Sequence, residues 1–266
     1  MYVCPSPTPL LGYEDQVLYI CIPVYNEAPT IGVLLWRIRK VFQEYSREYE
    51  VIVFDDGSTD ATGETLAPYR EVLPLHLLGG REHVGYARAV DALVRHAAQR
   101  TRYPRRDALI LMQGDFTDQP EHLPELIKRF EGGADIVAAE RPAPGPAVPP
   151  PVRQLRRIAR WVLRPLVSVP GVADPLGTFR LYRISVVRDL LKELDGKPLL
   201  EADGWAANVE LMMKTARLAR RVESVALDPR YDVRPRPTRI RPYADALNLW
   251  KFGWGMRTRR PTVTSR

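Results

Sequence analysis

Short apolar runs alternate with segments of helical periodicity from residue 17 to about 140, and this alternation restricts the fold more than any other feature of the chain. VLYICIPVY (17–25) is continuously apolar, as a strand covered on both faces must be. TIGVLLWRIRKVFQEY follows, with Ile31, Leu34, Leu35, Ile38 and Val41 on one helical face and Thr30 or Asn26 as its cap. YEVIVF, VLPLHLL, DALILM and ADIVAAE repeat the strand signal. Between them lie a short helical segment in TDATGETLAPY, a helix over roughly 85–100 and another around EHLPELIKRF. Strand and helix in this order predict an α/β fold with a mostly parallel sheet and flanking helices.

RPAPGPAVPPP (141–151) breaks the pattern, because so many prolines resist both helix and sheet and predict an extended loop. Beyond it, VRQLRRIARWVLRPLVSV alternates Leu155, Ile158, Trp161, Val162 and Leu166 with Arg153, Arg156, Arg157, Arg160 and Arg164. Two readings stay open: a helix on a membrane surface, or a helix packed on the sheet with a solvated basic face. DPLGTFRLYR predicts a turn and a short strand, and GWAANVELMMKTARLARR a helix with Val209, Met212, Met213 and Ala216 inward. VESVALDP is a further strand, and the remaining tail mixes Arg with Pro before turning amphipathic.

Length and composition narrow the function. A chain of 266 residues accommodates one large α/β domain or two small ones. A formal charge of +7, carried mostly by Arg, suits anionic partners such as phosphates, nucleotides or an acidic membrane surface. Nucleic acid is not expected, since neither a basic block with interleaved aromatics nor a zinc-finger spacing occurs. Cys4 and Cys21 are too few for a disulfide framework, and Cys21 reads as a small core residue. The first residues lack the pattern of a signal peptide, and no run reaches the roughly 18 apolar residues of a membrane span. The expectation is a cytoplasmic protein, with contact at a membrane surface left open.

Parallel sheets bind ligands beyond the carboxyl ends of their strands, which is where the polar clusters fall. PVYNE follows the first strand, DDGSTD the second and QGDFTD the fourth. Asp55 and Asp56 can accept hydrogen bonds from a base edge and a ribose, Tyr25 can stack on a base, and Glu27 can accept hydrogen bonds. Taken alone, DDGSTD reads as an Asp-rich turn capping a helix, and it gains another meaning only beside PVYNE.

CIPVYNEAPTIGVLL together with VIVFDDGSTDAT resembles the inverting family 2 glycosyltransferases. REHVGYARAVDALV is similar to that family's Asn-Gly-Gly helix entry, with His83 in the Asn position and Gly85 retained. LMQGDFTDQPEHLPELIKRF resembles its metal segment, GADIVAAER the next strand with its terminal Arg, and DPLGTFRLYR its Gly-Phe-Arg segment. PTRIRPYADALNLW is similar to its Ser-Lys segment, with Thr238 and Arg239 substituted. The likeness spans roughly residues 16 to 252 and is greatest to the polyprenol-phosphate mannosyl- and glucosyltransferases.

That resemblance implies a GT-A fold with a Rossmann-like nucleotide-binding half. Residues 16–240 would form the transferase domain, with 1–15 an N-terminal extension and 241–266 a basic amphipathic C-terminal one. The implied reaction is inverting transfer of a hexose from a GDP-mannose- or UDP-glucose-class donor to a polyprenyl phosphate. Two alternatives are the same donor chemistry on a soluble hydroxyl acceptor and a non-catalytic nucleotide-sugar binder. Pro23, Tyr25, Glu27, Asp55, Asp56, Gly85 and Gly114 would hold the donor. Asp115, with Gln113, Thr117 and Asp118 nearby, would hold Mg2+ or Mn2+, and Asp115 and Arg239 would carry catalysis. Arg141, Arg153, Arg157, Arg180 and Arg239 would meet phosphates. A hydroxyl acceptor would need a base, for which Asp203 and Glu210 are the candidates, Glu210 reading equally as a helix-surface acid.

The family pattern Asp-any-Asp-any-Gln becomes Gln113-Gly114-Asp115-Phe116-Thr117 here, so one charged ligand is neutral. Magnesium is commonly held by one or two carboxylates together with substrate phosphates and water. The expected outcome is a metal that arrives with the nucleotide sugar. Calorimetric titration of the free protein with magnesium or manganese should therefore show only weak binding, and tight binding contradicts it.

Overall fold

The computed structural model describes residues 16–140, 150–163, 169–227, 247, 249–252 and 254, without the side chains of residues 156 and 159–163. Among these residues seven strands form one sheet in the order β3-β2-β1-β4-β6-β5-β7. They are β1 (Val17–Val24), β2 (Glu48–Asp56), β3 (Leu75–Gly80), β4 (Ala108–Leu111), β5 (Ile136–Glu140), β6 (Arg180–Arg183) and β7 (Val222–Ala226). β1 lies between β2 and β4, parallel to both, with Val24 opposite Asp55 and Cys21 opposite Leu111. β6 runs antiparallel between β4 and β5. Its direction follows from where the chain returns: the Ala173 N–H donates to the Glu140 carboxylate, and a Cβ on Gly177 would lie 3.2 Å from the Ala139 carbonyl oxygen. The segment therefore re-enters at the carboxyl end of β5 and can only descend.

Helices cover both faces, as continuous apolar strands require. On one face α1 (Ala28–Glu44) and α5 (Leu123–Glu131) close a core that includes Ile20, Ile22, Ile31, Leu35, Val53, Ile110 and Phe130. On the other, α4 (Tyr86–Arg100), α7 (Ile184–Leu194) and α8 (Trp205–Ala216) enclose Tyr19, Cys21, Leu93, Leu109, Tyr182 and Met212. Two short helices, α2 (Thr62–Leu66) and α3 (Tyr69–Val72), lead into β3. Cys21 is buried and unbonded, as a core residue should be.

Four details differ from the sequence reading. Neither Thr30 nor Asn26 caps α1; Glu27 occupies that position and the Thr30 hydroxyl donates back to its carbonyl. α7 has no counterpart in the sequence reading because ISVVRDLLKEL is rich in β-branched residues directly after a strand. Its first turn is fixed from outside, the Ile184 N–H donating to the Asp107 carbonyl and the Ser185 N–H to the Pro104 carbonyl. α6 (Pro150–Leu163) takes in Pro150 and Pro151 from the end of the proline segment, which the first helical turn tolerates since its N–H groups have no intrahelical acceptor. Finally, Val152 and Leu155 are buried, and Leu155 joins a small cluster with Leu176, Ala206, Val209 and Leu249, so at those residues the apolar face of α6 packs into the protein. Among the described residues no helix is long and apolar enough to cross a membrane.

Candidate active site

Because β1 is the inner strand of the parallel half, its carboxyl end gathers the loops of β2 and β4 around it. The turn after β1 depends on Asn26, a non-glycine residue at φ 55°, where its side chain repays the strain by hydrogen bonding. Asn26 Oδ1 accepts the Thr59 N–H at 2.7 Å and the Asp60 N–H at 3.3 Å, and the Asn26 N–H donates to Ser58 Oγ at 2.9 Å. The Glu27 N–H donates to Thr62 Oγ1 and the Ala28 N–H to Asp60 Oδ2. PVYNE and DDGSTD are thus a single hydrogen-bonded unit. Burial opposes charge on Asp60, but the hydroxyl and N–H of Thr62 and the N–H of Ala28 outweigh it and hold the carboxyl below its ordinary range.

The β2 end is tied in turn to the loop before α4. Asp56 is 4% exposed and accepts the Val84 N–H at 2.6 Å and the Gly85 N–H at 3.1 Å, while His83 Nδ1 lies 3.0 Å from Asp56 Oδ2. The two loops touch at Gly57 (φ 70°), where an added Cβ would lie 2.8 Å from the backbone of Glu82 and His83. Only glycine permits that approach. His83 is thereby set against Tyr25, with ring centroids 4.4 Å apart and an interplanar angle of 36°. Two rings from different loops form a platform suited to a planar base.

This geometry corrects two donor assignments. Asp56 is spent on the backbone of residues 84–85 and on His83, so it builds the platform instead of facing a ligand. Gly114 acts as a packing residue: a Cβ there would lie 2.9 Å from Val24 Cγ1, and its absence lets the acidic loop rest on the end of β1. Asp55 is placed differently. It is half-buried, its Oδ1 accepts the Ser58 N–H at 3.0 Å, and Oδ2 has no hydrogen-bond donor among the described residues. Pro23 lies half-buried on β1, Glu27 is 5% exposed, and Gly85 (φ 93°) precedes α4.

The acidic loop after β4 closes on itself. Asp118, 3% exposed, accepts the Gln113 N–H at 3.0 Å and the Thr178 hydroxyl at 3.3 Å. Asp115 Oδ1 accepts the Thr117 N–H at 3.0 Å. Phe116 holds φ 63° and is buried, with the Arg37 guanidinium 5.2 Å from its ring centroid. Gln113 is half-buried, and its Nε2 donates to the Tyr86 hydroxyl at 3.2 Å. Tyr86 in turn donates to Asn208 Oδ1 at 2.7 Å, and burial pushes its phenol far above the ordinary range, so it remains protonated. Among the described residues no group of three or more His, Cys, Asp or Glu could hold a metal. The donor set does fit a hard divalent cation whose remaining ligands come from phosphate and water.

The acceptor-side residues divide. Arg180 is corrected: it is 1% exposed, with Nη1 donating to the Asn208 carbonyl at 2.8 Å and Nη2 to those of Pro175 at 2.7 Å and Asp174 at 3.3 Å. Its guanidinium binds the turn before β6 to α8 through both terminal nitrogens. Glu210 is corrected from both of its readings. At 2% exposed it pairs with Lys214 Nζ at 2.6 Å and accepts the N–H groups of Glu201 and Ala202, each at 2.9 Å. Asp203 is exposed and accepts the Ala87 N–H at 3.0 Å, capping α4 from the neighbouring loop. On α6, Arg153 is half-buried and Arg157 exposed. Arg141 and Arg239 lie outside the described residues.

Sequence reasoning passed over Tyr86, which sits inside the helix-entry motif without a role of its own, and Asn208, which no motif marks; the two come together only through folding. His83 was visible as an altered motif position, though not as half of a ring pair.

A mostly parallel sheet with helices on both faces and polar loops gathered at the carboxyl ends of β1, β2 and β4 is a GT-A-type fold. The chain belongs to glycosyl transferase family 2, whose sequence profile matches residues 19–191. It is 29% identical over 209 residues to the undecaprenyl-phosphate mannosyltransferase of Micrococcus luteus, covering 77% of this chain and 80% of that one. It is 26% identical over 211 residues to the dodecaprenyl-phosphate galacturonate synthase of Rhizobium johnstonii, covering 76% of this chain but only 58% of the relative's length. Among solved structures it resembles glucosyl-3-phosphoglycerate synthase from Mycobacterium tuberculosis, in complex with Mn2+, UDP and product. That likeness has a TM-score of 0.59 at 20% identity, covering 88% of this chain and 76% of that one, and it establishes the shared fold.

Two consequences are measurable. A carboxyl held below its ordinary value stabilises the fold fully above the unfolded aspartate range of about 4 and loses that contribution as pH falls through the folded value. Asp60→Asn should therefore lower the melting temperature at neutral pH, with the gap to the wild type closing in acid. Removing one member of a buried ion pair strands the other, so Glu210→Ala should cost about 3–5 kcal/mol in urea unfolding. A Glu210→Ala protein of wild-type stability that had lost transfer alone would restore its reading as a base.

Proposed function

We propose that this protein transfers a hexose from a nucleotide sugar to a polyprenyl phosphate with inversion at the anomeric carbon. The observation that carries the reading is the strand-end cluster: Tyr25 set at a tilt against His83, Asp55 with one oxygen uncommitted, and Asp115 on a loop seated against Val24. Similarity to two polyprenyl-phosphate sugar transferases supports the acceptor class.

In this reading the nucleobase lies on the Tyr25–His83 platform and Asp55 Oδ2 accepts hydrogen bonds from the nucleoside. Asp115, with Gln113 and Thr117 nearby, would hold a divalent cation, and Asp118 keeps that loop closed. When bound, such a cation would supply positive charge against that growing on the departing nucleoside diphosphate. A phosphate oxygen of the lipid attacks the anomeric carbon from the face opposite the leaving group as the bond to the diphosphate oxygen breaks. The nucleophile is already anionic, so no strong base is needed, in keeping with the burial of Glu210 in an ion pair. Arg141, Arg153, Arg157 and Arg239 are proposed phosphate contacts.

Residues 16–240 are assigned to the transferase domain, with extensions at 1–15 and 241–266. Leu249 is 1% exposed in the cluster beneath α6, whereas Leu247, Trp250 and Trp254 are 50%, 44% and 52% exposed. An inward Leu and outward Trp side chains on one segment suit a stretch held by the protein and dipping into the lipid interface.

The test combines radiolabelled GDP-mannose or UDP-glucose, manganese and undecaprenyl phosphate in anionic vesicles. The expected product is an acid-labile lipid-linked sugar, made by protein that floats with the vesicles. Transfer only to water-soluble acceptors, without flotation, would select the soluble-acceptor reading, and donor binding without any turnover the non-catalytic one. Arg239→Ala should reduce transfer at least tenfold while leaving the melting temperature unchanged.

A further inference from the structure

The neutral residue in the acidic loop is the feature that the family pattern explains least. Gln113 cannot supply the charge a carboxylate would, yet its amide is held at one end. Its Nε2 lies 3.2 Å from the Tyr86 hydroxyl oxygen, which itself lies 2.7 Å from Asn208 Oδ1. The three residues come from the loop after β4, the first turn of α4 and the first turn of α8. None is near another in sequence, so the chain of hydrogen bonds exists only in the folded protein.

The chain has a direction. A phenol carries one proton, and here that proton goes to Asn208 Oδ1. The Tyr86 oxygen is then an acceptor towards Gln113, which fixes the NH2 end of the amide against it. The other branch of the planar amide, Oε1, has no hydrogen-bond donor among the described residues. We propose that Tyr86 is a positioning residue: held by Asn208, it orients Gln113 so that Oε1 presents a neutral carbonyl oxygen, beside Asp115, to the cation and diphosphate of the donor.

This inference rests on the nucleotide-sugar reading of the site and adds to it a reason for the amide. Asp115 and Asp118 already place two carboxylates in a loop of six residues, both more than nine-tenths buried. A third negative group at position 113 would repel both. A carbonyl oxygen ligates a hard cation without adding charge. An amide has only one such oxygen, so it needs a partner that fixes which end faces the site. A carboxylate, with two equivalent oxygens, does not.

That difference supplies the test. Manganese affinity is measured by calorimetry with UDP or GDP present and absent, for the wild type, Tyr86→Phe, Gln113→Glu and the double variant. Circular dichroism and thermal unfolding confirm that each is folded. Removing an outer partner of a metal ligand commonly costs about 10–100-fold in affinity. Tyr86→Phe should therefore weaken nucleotide-dependent manganese binding at least tenfold. In the Gln113→Glu background the same change should have little effect, because a carboxylate needs no orienting. Gln113→Glu alone should give the free protein measurable manganese affinity.

Wild-type manganese affinity in a folded Tyr86→Phe protein would overturn the proposal, as would an equal loss in both backgrounds, which would mark Tyr86 as packing only. A wild type that bound neither UDP nor GDP at any manganese concentration would instead remove the donor reading, and this inference with it.

Discussion

The arrangement depends on β1 being covered on both faces and paired on both edges. An inner parallel strand leaves no solvated side for polar chemistry, so function is confined to the end where the chain leaves the sheet. Asp55 is the ladder partner of Val24, and Gly114 rests on the Val24 side chain. The polar residues of three loops are thereby brought together by apolar pairing beneath them. The burial of Ile20, Cys21 and Ile22 is what sets the position of Tyr25.

The loops themselves are held chiefly by side chains bonding to backbone N–H groups. Asn26 binds residues 59 and 60, Asp56 binds 84 and 85, Asp118 binds 113, and Glu210 binds 201 and 202. Loops beyond a sheet edge lose the ladder that satisfies their donors, and an acceptor oxygen carried on a side chain replaces it. Several acids that look catalytic in a linear reading are used in this way. A carboxylate accepting two N–H groups is a structural element, and its burial is offset by those bonds.

Much of the fold and part of the site were legible beforehand. The apolar runs from 17 to 140 have a period that only strands or helices satisfy, and the five strands β1 to β5 follow one another with little ambiguity. β6 was also visible as a strand, but its antiparallel direction was not, since it depends on the return of the chain beside Glu140. α7 escaped notice because β-branched residues weaken the helical signal, and the acceptors of its first N–H groups come from residues 104 and 107. Arg180 was read as a phosphate contact because DPLGTFRLYR resembles the family's Gly-Phe-Arg segment. Burial between the turn at 174–175 and α8 gave it another task.

By itself the sequence determined which residues could be strands, where the polar clusters would lie relative to the sheet, and that the acidic loop carries one fewer charge than its pattern leads one to expect. Those are local properties, set by side-chain polarity and spacing. Only the tertiary structure decided which acids hold a loop together, and that a phenol on α4 meets an amide from the loop after β4 and an asparagine on α8. A hydrogen bond has a donor, an acceptor and a direction, and residues far apart in the chain acquire these with respect to one another only when packing sets them within 3 Å or so.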